Sequence, residues 1–192
     1  MLIPRPETEL LVEAALERWP AGSQLRVADV CTGSGCVAVA LAHDRPGCSI
    51  LATDISASAL ELAARNAARH EVTACVQFHR TDLLEGVDGP FDLIVANPPY
   101  VPETVRTSLQ QEVRNYEPSI ALFGGRDGLT LIVRLAAQVT THLRPGGLFL
   151  FEFGDGQEEQ VIDVIAATGR LRLLDIKRDL QGIPRTAIVA RD

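Results

Sequence analysis

The sequence predicts an α/β fold, a Rossmann-like and mostly parallel sheet alternating with helices. Three stretches carry that expectation. Leu25-Arg26-Val27-Ala28-Asp29-Val30, Cys31-Thr32-Gly33-Ser34-Gly35 and the segment from Cys36 to about His43 read as strand, tight loop and helix, the unit that opens nucleotide-binding sheets. Ser49-Ile50-Leu51-Ala52-Thr53-Asp54 is a second strand ending on an acid 19 residues past Gly35, near the spacing at which a carboxylate reaches a ribose diol. Phe91-Asp92-Leu93-Ile94-Val95-Ala96 supplies the apolar run of a central strand, and it halts at Asn97-Pro98-Pro99-Tyr100.

The elements follow in order. Met1 to Pro6 holds two prolines in its last three positions and is expected to be an extended lead-in. Thr8 to about Trp19 reads as a helix with Leu10, Leu11, Ala14, Ala15 and Leu16 on its apolar stripe. Arg5 in so stiff a segment is a solvated charge or an anion contact, and local features favour the solvated charge. After the second strand, Ser56 has the side chain of an N-cap for a helix through about Arg69. Ala74 to His79 is the third strand and the Asn-Pro-Pro-Tyr strand the fourth. Residues 101–126 read as a long irregular connection, of the kind that covers a site or binds a partner. Asp127 is expected to cap a helix to about His142. Pro145-Gly146-Gly147 turns into a fifth strand, Leu148 to Phe153, followed by a helix from Gln157 to about Ala167. Leu171 to Lys177 and Thr186 to Ala190 are expected as an antiparallel edge pair.

Composition narrows the class. A chain of 192 residues that is 46% apolar suits one ordinary domain. The net charge of −7 and a pI near 5.1 argue against a surface that tracks a nucleic-acid backbone. No run approaches membrane-spanning length, and Arg5, Glu7 and Glu9 interrupt any signal-like start, so a soluble cytoplasmic protein without a membrane partner is expected. Cys31, Cys36, Cys48 and Cys75 form no Cys-x-x-Cys, and His43, His70, His79 and His142 are scattered. Core thiols and surface imidazoles are expected, with no metal.

The chemistry concentrates at the strand ends. Pro98 and Pro99 cannot donate ladder hydrogen bonds, so the fourth strand exits stiffly with Asn97 held extended. The Asn97 side chain and the Pro98 carbonyl offer two acceptors in fixed geometry, a seat for a planar –NH₂ group on which the Tyr100 ring can lie. The four residues alone suit a structural turn equally well. The first loop departs from the dinucleotide fingerprint: Cys31 stands where glycine is common, and no third glycine occurs near Ala38. A cofactor without a pyrophosphate relaxes that demand, which favours S-adenosylmethionine over a dinucleotide. Asp29 can face its cationic end or tie down the loop amides, and the two roles are compatible. Asp82, with Leu83 against the ring, can accept from an adenine amino group or simply sit in a turn.

The sequence resembles the glutamine-N5 methyltransferases of peptide release factors, the HemK or PrmC family. The resemblance rests on Ile3-Pro4-Arg5-Pro6-Glu7-Thr8-Glu9, Asp29-Val30-Cys31-Thr32-Gly33-Ser34-Gly35, Thr53-Asp54-Ile55-Ser56 and Asn97-Pro98-Pro99-Tyr100. Tyr116-Glu117-Pro118, Gly125-Arg126-Asp127-Gly128-Leu129 and Asp179-Leu180-Gln181-Gly182-Ile183-Pro184-Arg185 extend it over the whole chain. It implies a seven-stranded class I methyltransferase sheet with helices on both faces and an S-adenosylmethionine cofactor. It assigns Cys31, Thr32, Gly33, Ser34, Gly35, Asp54, Leu83 and Asn97 to that cofactor, beside which the local reading places Asp82. It assigns Asn97, Pro98, Pro99 and Tyr100 to catalysis on the glutamine of a release-factor Gly-Gly-Gln loop, with Arg5, Pro6 and Thr8 beside the substrate. Typical members carry a helical domain ahead of the Pro-Arg-Pro segment, and residues 1–192 are expected to be the catalytic domain without it. The partner expected is a release factor, met by a monomer. The rival reading is an adenine-N6 DNA methyltransferase, which needs the same –NH₂ seat; the acidic charge disfavours DNA.

Overall fold

A computed structural model describes residues 3–192; Met1 and Leu2, the first part of the expected lead-in, lie outside the described residues. The helices are α1 (Glu9–Arg18), α2 (Cys36–Asp44), α3 (Ala57–Arg69), α4 (Gln111–Tyr116), α5 (Ser119–Leu122), α6 (Thr130–His142) and α7 (Glu158–Ala167). The strands are β1 (Arg26–Val30), β2 (Ser49–Asp54), β3 (Val76–Arg80), β4 (Phe91–Ala96), β5 (Leu143–Glu152), β6 (Leu171–Arg178) and β7 (Pro184–Arg191). They form one seven-stranded sheet in the order β3-β2-β1-β4-β5-β7-β6. β1 to β5 run parallel, and β7 pairs antiparallel with both β5 and β6. Strand order reverses between β1 and β4, which opens a crevice at their carboxyl ends.

The apolar run of β4 is explained by burial on both sides. Leu93 and Val95 pack with Leu11 of α1, Val37 and Leu41 of α2 and Ala67 of α3. Ile94 and Ala96 pack on the opposite face with Ile132 and Leu135 of α6 and Val161 and Ile165 of α7. β5 divides in the same way, Leu150 to one face and Phe149 and Phe151 to the other. Truncating one such fully buried leucine to alanine costs about 2–5 kcal/mol. The strand at the centre of the site is therefore held by both layers.

Several expectations are corrected. Residues 101–126 are not structureless: a 3₁₀ turn, Glu103–Ser108, precedes α4 and α5. These turns are too short to leave an apolar period in the sequence. Asp127 does not cap α6. Its side chain accepts from the Leu129 amide at 3.0 Å in the turn before the helix, and α6 starts without a side-chain cap. β5 begins at Leu143, so Pro145-Gly146-Gly147 is a bulge inside the strand, where pairing with β4 shifts register between Phe91 and Leu93. Cys36 is exposed on the cavity wall instead of being a core thiol.

Candidate active site

A cavity of about 350 Å³ opens over the carboxyl ends of β1, β2 and β4, within the usual size of small-molecule sites. Thr8, Cys31, Thr32, Gly33, Ser34, Asp54, Asp82, Leu83, Asn97 and Pro99 line it, together with Asp29. Arg5, Pro6, Gly35, Pro98 and Tyr100 are not in its wall.

The floor is the loop after β1. Asp29 is 2% exposed. Its Oδ2 accepts from the Thr32 hydroxyl at 2.5 Å and from the Ala38 amide of α2 at 3.1 Å. Among the described residues nothing donates to Oδ1. Burial pushes the Asp29 carboxyl up to about 7, against the hydrogen bonds from Thr32 and Ala38 that pull it down. The structure thus gives Asp29 the loop-tying role and leaves its second oxygen available. Cys31 has φ +60°, a left-handed conformation that costs an L-residue roughly 1–2 kcal/mol. That is the reason glycine suits this position. Gly35 is required for a second reason: a Cβ there would stand 2.9 Å from Ala63 Cβ, so α2 and α3 could not approach as they do.

Asp54, at the end of β2, is committed twice to backbone. Oδ2 accepts from Gly33 N at 2.9 Å and Oδ1 from Ser56 N at 2.8 Å. A carboxylate has about four lone-pair sites, so each oxygen retains capacity for a further donor. Asp82 is not a bare turn aspartate: Arg134 of α6 donates to its Oδ2 at 2.8 Å and reaches Glu85 at 3.3 Å. Arg134 was not singled out from sequence, because an arginine on an amphipathic helix reads as solvated.

The other wall is a chain of side chains. Asn97 Nδ2 donates to Thr8 Oγ1 at 2.9 Å, and Thr8 Oγ1 donates to Glu152 Oε2 at 2.8 Å. The Tyr100 hydroxyl donates to Glu152 Oε1 at 2.8 Å. Glu152 is 1% exposed; burial pushes its carboxyl up, and the hydrogen bonds from Thr8 and Tyr100 hold it down. Burial, with the adjacent Glu152 carboxylate, also pushes the Tyr100 phenol up. Gln157 braces the same strand exit, donating to the Tyr100 carbonyl at 3.0 Å and accepting from Gly154 N at 2.8 Å. Neither Glu152 nor Gln157 was foreseen. The available signal was Glu152 itself, a charge inside the apolar run Leu148–Phe153.

Arg5 is not an unpaired solvated charge, and it is not in the wall. It forms an ion pair with Glu117 at 2.7 Å, and the Glu117 side chain is 6% exposed. This pair ties the segment before α1 to the turn whose Pro118, Ile120 and Ala121 cover the cavity. Among the described residues no group of three or more His, Cys, Asp or Glu side chains is arranged to hold a metal, and no helix is long and apolar enough to cross a membrane.

The pattern of the methyltransferase small domain matches residues 6–115. The chain belongs to the methyltransferase small domain family. Among relatives of this family member, the release factor glutamine methyltransferase of Koribacter versatilis is 45% identical over 190 residues, 98% of this chain and 66% of its own length. The release factor glutamine methyltransferase of Bradyrhizobium diazoefficiens is 42% identical over 193 residues, 99% of this chain and 65% of its own length. The chain thus spans just under two thirds of these relatives. A ribosomal protein L11 methylase from Lactobacillus delbrueckii superposes with TM-score 0.74 and 27% identity, over 98% of this chain and 80% of that one. The E. cuniculi Mtq2-Trm112 complex shares the fold at TM-score 0.66 and 20% identity, covering 100% of this chain and 97% of that one. The architecture is that of class I methyltransferases, as the sequence predicts.

Proposed function

We propose that this domain transfers a methyl group from S-adenosylmethionine to the side-chain amide nitrogen of a glutamine in a peptide chain release factor. The observation that carries the reading is the state of Asn97. One N–H of its –NH₂ is held by Thr8, which fixes the amide with its carbonyl oxygen turned to meet a donor from the cavity. The names and extensive similarity of the relatives support the choice of acceptor.

The donor set fits the cofactor. Asp29 offers an unshared carboxylate oxygen to a cationic methionine end, Asp54 offers acceptors to a ribose diol, and Leu83, 4% exposed, offers an apolar surface to adenine. Cys31 to Gly35 form the floor between them, and Asp82, tethered by Arg134, borders the adenine end. When bound, S-adenosylmethionine supplies an electrophilic methyl group on a sulfonium. The chain's own task is orientation. An amide nitrogen is a weak nucleophile because its lone pair is delocalised. Asn97 Oδ1, accepting from one of its N–H bonds, would fix the nitrogen and stabilise positive charge developing on it; the Pro98 carbonyl, the second acceptor the sequence suggests, lies outside the cavity wall. Tyr100 and Pro99 would bound the amide plane, with Arg5, Pro6 and Thr8 as the flank nearest the protein substrate. The domain is read as acting alone in the cytoplasm, without DNA. Incubation with labelled S-adenosylmethionine and either a release factor or duplex DNA tests this. One methyl group on the glutamine of the release-factor loop is expected; label on adenine would replace the reading.

A further inference from the structure

We infer that Glu152 is a positioning residue that fixes which end of the Asn97 amide faces the cavity. The inference deepens the proposed function and rests on it for the identity of the acceptor.

The argument is one of donors and acceptors. Glu152 follows Phe151, which pairs with Ala96 in the parallel ladder of β5 and β4. Glu152 therefore stands at the same level as Asn97 at the mouth of the crevice. An ionised carboxylate only accepts. Thr8 has one O–H, and the geometry gives it to Glu152 Oε2 at 2.8 Å. What remains on Thr8 Oγ1 is lone pairs, so it can only accept from Asn97, and the 2.9 Å contact is made by Nδ2. A carboxylate two bonds away thus dictates that Asn97 shows its oxygen, not its –NH₂, to the cavity. The Tyr100 hydroxyl occupies the other carboxylate oxygen, so both flanks of the Asn-Pro-Pro-Tyr turn are referred to one buried group.

Replacing the acid by an amide of the same shape removes the instruction. The Glu152→Gln side chain can donate to Thr8, which frees the Thr8 O–H to donate to Asn97 Oδ1. The Asn97 amide can then turn over and present –NH₂ to the cavity, a donor facing a donor. A merely structural Glu152 predicts something different, because glutamine keeps the volume and a hydrogen-bonded tie to Thr8.

The test has two readouts. In the ¹H–¹⁵N spectrum of the wild-type domain, the Asn97 side-chain amide, assigned by its loss in Asn97→Ala, should show a protected, downfield proton. Glu152→Gln should speed exchange of that proton by about tenfold or more, the factor for losing one hydrogen bond of ordinary strength, with no change in melting temperature. Thr8→Val, which cuts the relay but leaves Glu152 and Tyr100 together, should do the same, and Thr8→Ser should restore the protection. If Glu152→Gln does not fold, Glu152→Asp, which draws the carboxylate back from Thr8, takes its place: faster exchange of the Asn97 amide is expected, and unchanged protection overturns the inference. Unchanged protection in Glu152→Gln would overturn the inference, whatever Thr8→Val does, since Thr8→Val removes the acceptor of the Asn97 amide itself. In turnover, Glu152→Gln should lower kcat by about tenfold or more with KM for the protein substrate little changed. Combined with Asn97→Ala it should be no slower than Asn97→Ala alone. Rate losses that multiply would show that Glu152 acts elsewhere and would overturn the inference. If the wild-type domain methylates no glutamine amide, the acceptor assignment fails while the amide exchange still decides the role of Glu152.

Discussion

The two walls of the cavity are built in opposite ways. The wall proposed for the cofactor is local: Thr32 and Ala38 serve Asp29 from 3 and 9 residues away, and Gly33 meets Asp54 across 21. The wall proposed for the acceptor is assembled from afar: Asn97 and Thr8 are 89 residues apart, and Thr8 and Glu152 are 144 apart. The first is mostly backbone amides on carboxylates, the second a relay of side chains. A local wall can vary in detail and still hold its ligand. A relay depends on every member having the right donor direction.

That contrast predicts a ranking of effects. Asn97→Ala should cut single-turnover methylation by about 10²-fold or more, the scale for one preorganised polar contact; a near-normal rate would break the claim that the acceptor wall aligns the amide. Asp54→Ala should weaken S-adenosylmethionine binding by roughly 1.5–3 kcal/mol, as for lost hydrogen bonds to a charged acceptor. Calorimetry finding equal affinity would remove Asp54 from the cofactor wall.

A smaller and graded effect should come from Asp29. With its folded pKa raised to about 7, the folded state holds a proton that the unfolded state has released. The sign follows: its contribution to stability is full below the unfolded value and is lost as pH rises through about 7. A cation bound beside it favours the ionised form. Affinity for S-adenosylmethionine should therefore fall with acidification below about 7, approaching tenfold per pH unit, and Asp29→Asn should flatten that profile. A flat wild-type profile would separate Asp29 from the cationic end. The smallest effect should be a gain. Cys31→Gly relieves the left-handed strain at φ +60°, and, after the entropy glycine loses on folding, should stabilise the domain by up to about 1 kcal/mol. A denaturant midpoint that stays or falls would mean that Cys31 has packing to lose.

The same contrast explains what the sequence made legible. Strand, loop, helix and terminal acid lie next to one another in the chain, so the residues that line this side of the cavity could be read from spacing. Asn97 was legible because two prolines mark the strand exit. Its partners were not: Thr8 reads as the start of a helix, and Glu152 lies 55 residues beyond Asn97 with no local pattern to join them. Arg5 was misread locally for the same reason, since its partner Glu117 is 112 residues away. The pairing of β7 between β5 and β6 likewise follows from how the sheet closes, which alternation along one strand does not report.

The position of Glu152 has a consequence for a chain emerging from the ribosome. Thr8 is synthesised first, Asn97 later and Glu152 later still. Glu152 sits in a strand whose neighbour on one side is β4 and on the other β7, Pro184–Arg191. Until those residues are made and paired, β5 is an unfinished edge, and the Asn97 amide has no instruction about which way to face. Competence for the proposed reaction would thus arrive only with closure of the sheet.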